Sequence, residues 1–167
     1  DYESSFNKWS SDSSNMANLT TRTGKHSFTV KGTSTVPGAY SYVYPYFATS
    51  NTQHSLSCQV RNNNNKTLIA RAIIRDGQNG TVLSSNVEIQ IPPGQTGRLS
   101  VSTNTAVSSS QLTPAISIFS DASDGSVDAE VFMAQCEAKP YATSFADGTR
   151  AAELLDIPPA DTLDFSA

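Results

Sequence analysis

Apolar and polar side chains alternate along most of this chain. A period of two is the mark of half-buried β-strands, and helical periodicity is nearly absent. From Ser55 to Arg61, Leu56, Cys58 and Val60 fall on one face and Ser57, Gln59 and Arg61 on the other. The polar run Asn62 to Asn65 then turns the chain. Thr67 to Arg75 follows, with Leu68, Ala70, Ala72 and Ile74 on one face and Ile69, Arg71, Ile73 and Arg75 on the other. Val87, Ile89 and Ile91 alternate until Pro92-Pro93-Gly94 stops them. Leu99 with Val101, Ile116 with Ile118, and Val127 to Gln135 mark three further strands. Ser27 to Val30 and the tyrosine run Tyr40 to Phe47 precede them, and Asp76-Gly77 and Asn79-Gly80 are strong turn signals.

About eight strands without a repeat predict an all-β fold, two antiparallel sheets packed as a jelly-roll β-sandwich. Its core is expected to include Leu56, Val60, Leu68, Ile74, Ile89, Ile116 and Val131. The sandwich is assigned to residues 1–150. Residues 151–167 differ: Ala151 to Leu155 suit one helical turn, Pro158-Pro159 ends it, and the acidic remainder reads as an extended linker or arm.

Composition narrows the function more than the fold. A chain of 167 residues is long enough to bury roughly two-thirds of its unfolded surface without disulfides. Hydrophobic residues make up only 37%, which fits strands that each show one face to water. The net charge of −4 argues against nucleic acid as a partner, because phosphate binding needs a clustered excess of Lys and Arg. No apolar run is long enough to insert into a membrane. The chain starts at Asp1 without an initiator Met or signal-peptide pattern, so it reads as a processed start or an excised piece of a longer protein. Cys58 and Cys136 sit inside apolar strands, as buried thiols or as a cross-strand disulfide.

No catalytic motif is present: neither G-x-S-x-G, nor H-E-x-x-H, nor C-x-x-C, nor a glycine-rich phosphate loop. Two groups suit binding instead. Tyr40, Tyr42, Tyr44 and Tyr46 recur at period two, so in a regular strand all four project from one face at a spacing of ~7 Å. Such a row on a wetted face is a platform for the flat C–H faces of sugars; on the other face it is core, and a split between the two puts some rings inside. Gln59, Arg61, Arg71 and Arg75 form the second group. They point outward from two consecutive strands if the apolar positions face inward, and consecutive strands often neighbour each other. A Gln- and Arg-lined groove suits an acidic or hydroxyl-rich sugar, and the alternative is an ordinary solvated face.

Three stretches resemble the family 4/9-type carbohydrate-binding modules, jelly-roll domains found beside polysaccharide-degrading domains and within phage tail proteins. Tyr2-Glu3-Ser4-Ser5-Phe6-Asn7-Lys8-Trp9 is similar to their "FE-small-small-F-D-x-W" opening. His54 to Arg61 resembles their "YTFSAYVK" strand. Ala134-Gln135-Cys136-Glu137 through Tyr141-Ala142-Thr143-Ser144-Phe145 resembles the closing "A-Q-L-E … A-T-S-Y/F", and its continuation to Gly148-Thr149-Arg150 is of the phage-tail kind. The resemblance spans about residues 2 to 150. It implies the fold, a polysaccharide or cell-surface glycan as partner, and an extracellular or virion location. It also admits a structural role against other virion subunits, because fold does not fix function. Trp9 takes a packing position in this pattern. Glu3 takes the position that often supplies a carboxylate to one structural calcium ion, which needs six to eight oxygen ligands. The family's further Asp is replaced by Met133 and Ala134, which leaves backbone oxygens to complete the shell.

Overall fold

The computed structural model describes residues 9–11, 21–22, 27–33, 40–43, 46–77, 80–120 and 125–144. Glu3, Tyr44, Phe145 to Arg150 and the expected arm at 151–167 lie outside them. Eleven strands follow in order: β1 (Trp9–Ser11), β2 (Thr21–Arg22), β3 (Ser27–Thr33), β4 (Tyr40–Val43), β5 (Tyr46–Phe47), β6 (Ser55–Asn62), β7 (Leu68–Asp76), β8 (Val87–Ile91), β9 (Thr96–Ser102), β10 (Gln111–Ser120) and β11 (Ser126–Glu137). They form two antiparallel sheets. The first runs β1-β4-β10-β7-β8, with β5 also paired to β10, and the second runs β2-β3-β11-β6-β9. The expected sandwich is what forms. The additional strands are the short β1 and β2 and a division of the expected Tyr40–Phe47 strand into β4 and β5.

The two sheets close over one apolar core. Leu68, Ala70, Ala72 and Ile74 of β7 and Leu112, Ile116 and Ile118 of β10 meet Leu56, Cys58 and Val60 of β6 and Val127, Ala129 and Val131 of β11. Of the expected core, all but Ile89 are buried, and Ile89 is half-buried against the cluster. Gly97 on β9 packs directly against β8 of the other sheet. A Cβ there would stand 2.6 Å from Ile89 Cδ1 and 3.1 Å from Ile91 Cγ1, so the missing side chain is space that the two isoleucines fill. Cys58 and Cys136 are both buried and not disulfide-bonded. Burial alone pushes the Cys58 thiol up to about 12.

Asn62 fastens the crossings between the sheets. It ends β6 and is fully buried. Its side-chain amide donates to Lys66 O at 2.7 Å and Ile91 O at 2.8 Å, and its Oδ1 accepts from Asn64 N at 2.7 Å. Its own N–H donates to Gln95 O, and its carbonyl accepts from Gly94 N. The β6–β7 and β8–β9 crossings are thus tied to one residue. Asn64 Nδ2 and Asn63 N extend the tie to Ser126 O and Asp128 O of β11.

Two further polar anchors hold the segments that flank the sandwich. The buried His54 imidazole accepts from Thr49 N at Nε2 (3.1 Å), and Nδ1 lies 3.1 Å from Thr52 O. With Nε2 accepting, the ring is neutral with its proton on Nδ1. Burial lowers its pKa, against the opposing Thr52 bond. At the other end, Glu137 accepts from Thr143 N at 2.8 Å and Thr143 Oγ1 at 2.6 Å. Burial by itself raises the Glu137 carboxyl, but the Thr143 and Gln135 bonds and Lys139 outweigh it and hold the carboxyl below its usual value. The closing motif Gln135–Glu137–Thr143 is therefore a lock on the segment after β11.

These anchors generate two predictions. Asn62→Ala removes the side-chain partner of two carbonyls and an N–H, so it should cost about 3 kcal/mol in a denaturant titration; Ile74→Ala should cost about 2–5 kcal/mol through its cavity. Acid should weaken the domain in two stages. Because the folded pKa of His54 lies below 6.5, the unfolded chain takes up the proton first. Stability is complete above pH 6.5 and falls as pH drops from there through the folded value. Glu137 contributes stability above its ordinary 4.5 that is lost as pH falls through its lower folded value. Melting temperatures across pH 3 to 8 check this, and His54→Gln should remove the upper stage alone.

Candidate functional site

The candidate residues divide between two faces on opposite sides of the sandwich. Arg71 and Arg75 are on β7, at positions alternating with the core residues Leu68, Ala70, Ala72 and Ile74, so they lie on the outward face of the first sheet. Gln59 and Arg61 are on the outward face of the second sheet, where Gln59 pairs with Phe132 and Arg98, and Arg61 with Glu130 and Thr96. One groove formed by all four, the arrangement expected from adjacency of consecutive strands, is not what forms. The chain changes sheet at Asn62, so β6 and β7 are consecutive in sequence and opposed in space.

The tyrosine row divides too. In β4, Tyr40 and Tyr42 are the register partners of Ser117 and Ala115, which are outward positions of β10. Continuing that register would set Tyr46 opposite Gln111. It lies instead opposite Leu112, an interior position. One extra residue between the two strands switches the row to the other side of the sheet, and a slip of one is enough to do so. The break has a chemical cause. Thr113 and Pro114 of β10 fall in the gap between the β4 and β5 pairings, and neither Pro114 nor Pro45 has an N–H to give a ladder. The register thus puts two tyrosine positions on the outward side of the sheet and one in an interior row, the split arrangement among those the sequence allows.

Reading across the first sheet, one outward row runs Tyr40, Ser117, Arg71, Glu88, and the next runs Tyr42, Ala115, Ile73. Arg75 pairs with Thr113 one step beyond. Arg71 Nε donates to Asn86 Oδ1 and lies 3.5 Å from Glu88 Oε1, so its guanidinium is drawn toward β8. Arg75 Nη1 donates to Gly80 O at 3.3 Å. Thr113 Oγ1 donates to Gly77 O. The result is a strip of small and apolar residues (Ile73, Ala115, Ser117, Phe119), all buried, bordered by donors and acceptors in close alternation. Asn86, Glu88 and Ser117 were not among the candidates, although alternation with Val87 and Ile89, or with Ile116 and Ile118, assigns Glu88 and Ser117 to this face.

On the second sheet, a β-bulge interrupts the β11–β6 pairing between Phe132 and Gln135. It holds Met133 in the left-handed region at φ 53°, and Gln59 Nε2 reaches its sulfur at 3.6 Å. Arg98 Nη2 donates to Thr143 O at 3.3 Å. The segment after β11 thus touches one end of this face, while Arg61, Thr96 and Ser100 remain exposed. Among the described residues, no three His, Cys, Asp or Glu side chains are grouped to hold a metal ion.

The sequence matches no family profile and no curated protein. Solved structures are similar in fold. The CBM22-1–GH10 modules of Clostridium thermocellum endo-1,4-β-D-xylanase 10B, complexed with xylohexaose, superpose with a TM-score of 0.57 at 15% identity, over 83% of this chain and 27% of that one. The CBM22-1 xylan-binding domain of Paenibacillus barcinonensis Xyn10C gives 0.56 at 15% identity, over 82% of this chain and 90% of that one. This chain has a carbohydrate-binding-module fold. A family 4 module also shares it, with a TM-score of 0.50 at 6% identity over 80% of this chain and 81% of that one. At these identities the likeness is one of fold. The chain spans about a quarter of the first of these proteins and nearly all of the second.

Proposed function

We propose that this chain is a non-catalytic glycan-binding domain of a larger extracellular or phage-tail protein, of the family 4/9 type, and that the outward face of its first sheet is the binding face. The observation that carries the reading is the β4–β10–β7 register, which brings two tyrosine positions into the same outward rows as Arg71 and Ile73. An aromatic beside alternating donors and acceptors is the combination that sugars require, one apolar face and several hydroxyls. The carbohydrate-binding-module fold supports the same reading. Catalysis finds no support there: among the described outward positions of β7, β8 and β10, Glu88 is the one carboxylate, whereas glycoside hydrolysis generally uses a pair. A calcium ion held in part by Glu3 belongs to this proposal; a chelator should then lower the melting temperature of the wild type and not of Glu3→Ala.

A polysaccharide and surface-glycan array, with xylohexaose among its probes, tests the function. Weak binding is expected, because exposed hydrogen bonds and stacking give little net energy per contact. Tyr42→Ala and Arg71→Ala should each weaken it about tenfold, roughly 1.4 kcal/mol, while the protein stays folded. Gln59→Ala and Arg61→Ala should leave it unchanged. No binding across the array, with docking to virion subunits or self-association instead, would favour a structural virion domain and overturn the proposal.

A further inference from the structure

We propose that the Ser117 hydroxyl is the polar floor of a subsite on that face, where it takes a hydroxyl group of the bound glycan. The inference rests on the reading above and assigns it a specificity-determining residue.

Ser117 is 1% exposed, and its Oγ has no hydrogen-bond partner. A desolvated hydroxyl without a partner costs stability, and alanine would occupy the same place without that cost. Nothing in the folding of β10 therefore accounts for a serine here. Its outward neighbours make the contrast plain: Thr113 spends its hydroxyl on Gly77 O, while Ala115 and Phe119 bring no polar side-chain atom. Among the described residues, three other buried side-chain atoms lack partners, Ser55 Oγ, Asp128 Oδ1 and Gln135 Oε1. All three belong to β6 and β11 of the second sheet. Ser117 is the one among them on the face with Arg71 and Arg75.

Its position explains why the hydroxyl stays unused in the free protein. Ser117 pairs with Arg71 on one side and Tyr40 on the other. Arg71 is its register partner on β7, but the Arg71 Nε is committed to Asn86 and Glu88 on the side away from β10. The same commitment fixes the chemistry of the guest. Glu88 already supplies the carboxylate that Arg71 would otherwise seek, so the subsite suits a neutral hydroxyl better than a uronate. A sugar hydroxyl both donates and accepts, as Ser117 Oγ does, and satisfies it whichever way the proton points. At 1% exposure the Oγ is reached only when the groups over it part, so binding includes a local side-chain rearrangement on this face.

The test is Ser117→Ala, examined by thermal melting and by calorimetric titration with the array glycan that the wild type binds best. The expected result pairs two changes that a structural serine would not show together. The variant melts at the same or a higher temperature, and its affinity falls about fivefold or more. Ser117→Thr, which keeps the hydroxyl, should recover part of the loss. Wild-type affinity in Ser117→Ala, with Arg71→Ala still defective, would overturn the subsite and leave the binding face standing. A lowered melting temperature in Ser117→Ala would overturn it as well, by showing that the hydroxyl has a structural partner. Absence of glycan binding by the wild type would overturn both the face and its subsite.

Discussion

A sandwich whose consecutive strands change sheet has to carry peptide groups across the edge of its core, where they lose water and must find partners within the chain. Here that requirement converges on Asn62. Its side-chain amide behaves as an additional peptide unit, donating to carbonyls of the β6–β7 connection and of β8 and accepting from the β6–β7 connection, while its backbone bonds the β8–β9 connection. A leucine of similar size fills the volume and makes none of those bonds. The same bonds hold the β6–β7 connection, just before β7 begins at Leu68, against the end of β8.

From that constraint the chemistry of the two faces diverges. The second sheet is covered at one end by the segment after β11, which Glu137, Thr143 and Arg98 fasten down. Its outward cations are in part spent on structure. The first sheet carries a buried strip of small and apolar residues edged by Arg71, Glu88 and Arg75, and its outward hydroxyl at Ser117 does nothing for the fold. Ser55, Asp128 and Gln135 of the second sheet also keep a buried atom without a partner; what sets Ser117 apart is that it shares its outward row with Arg71 and a tyrosine position.

The strands and the core were legible because alternation is local: Leu56, Val60 and Ile74 announce their direction within five residues of chain. Which sheet a strand joins is not local. The alternation of β6 and β7 is the same whether they lie side by side or face to face, so Gln59 and Arg61 were grouped with Arg71 and Arg75, from which the sandwich separates them. The tyrosine run shows a related limit. Period two assigns one face only while a ladder is unbroken, and the prolines at 45 and 114 were the available signal that it breaks. Asn62 read as one of four turn asparagines, since sequence does not distinguish an amide turned to water from one turned inward. Ser117 had a legible direction, but the lack of a partner appears only in three dimensions.

The central claim is that recognition occurs on the outward face of the first sheet. Backbone amide chemical-shift mapping, with an oligosaccharide of the best-bound array glycan titrated into the labelled domain, tests it most directly. The account predicts that the perturbed amides cluster on β7 and β10, around Arg71 to Arg75 and Thr113 to Phe119, with β6, β9 and β11 unaffected. Shifts concentrated around Gln59, Arg61 and Phe132 would contradict it and move the site to the opposite side of the sandwich.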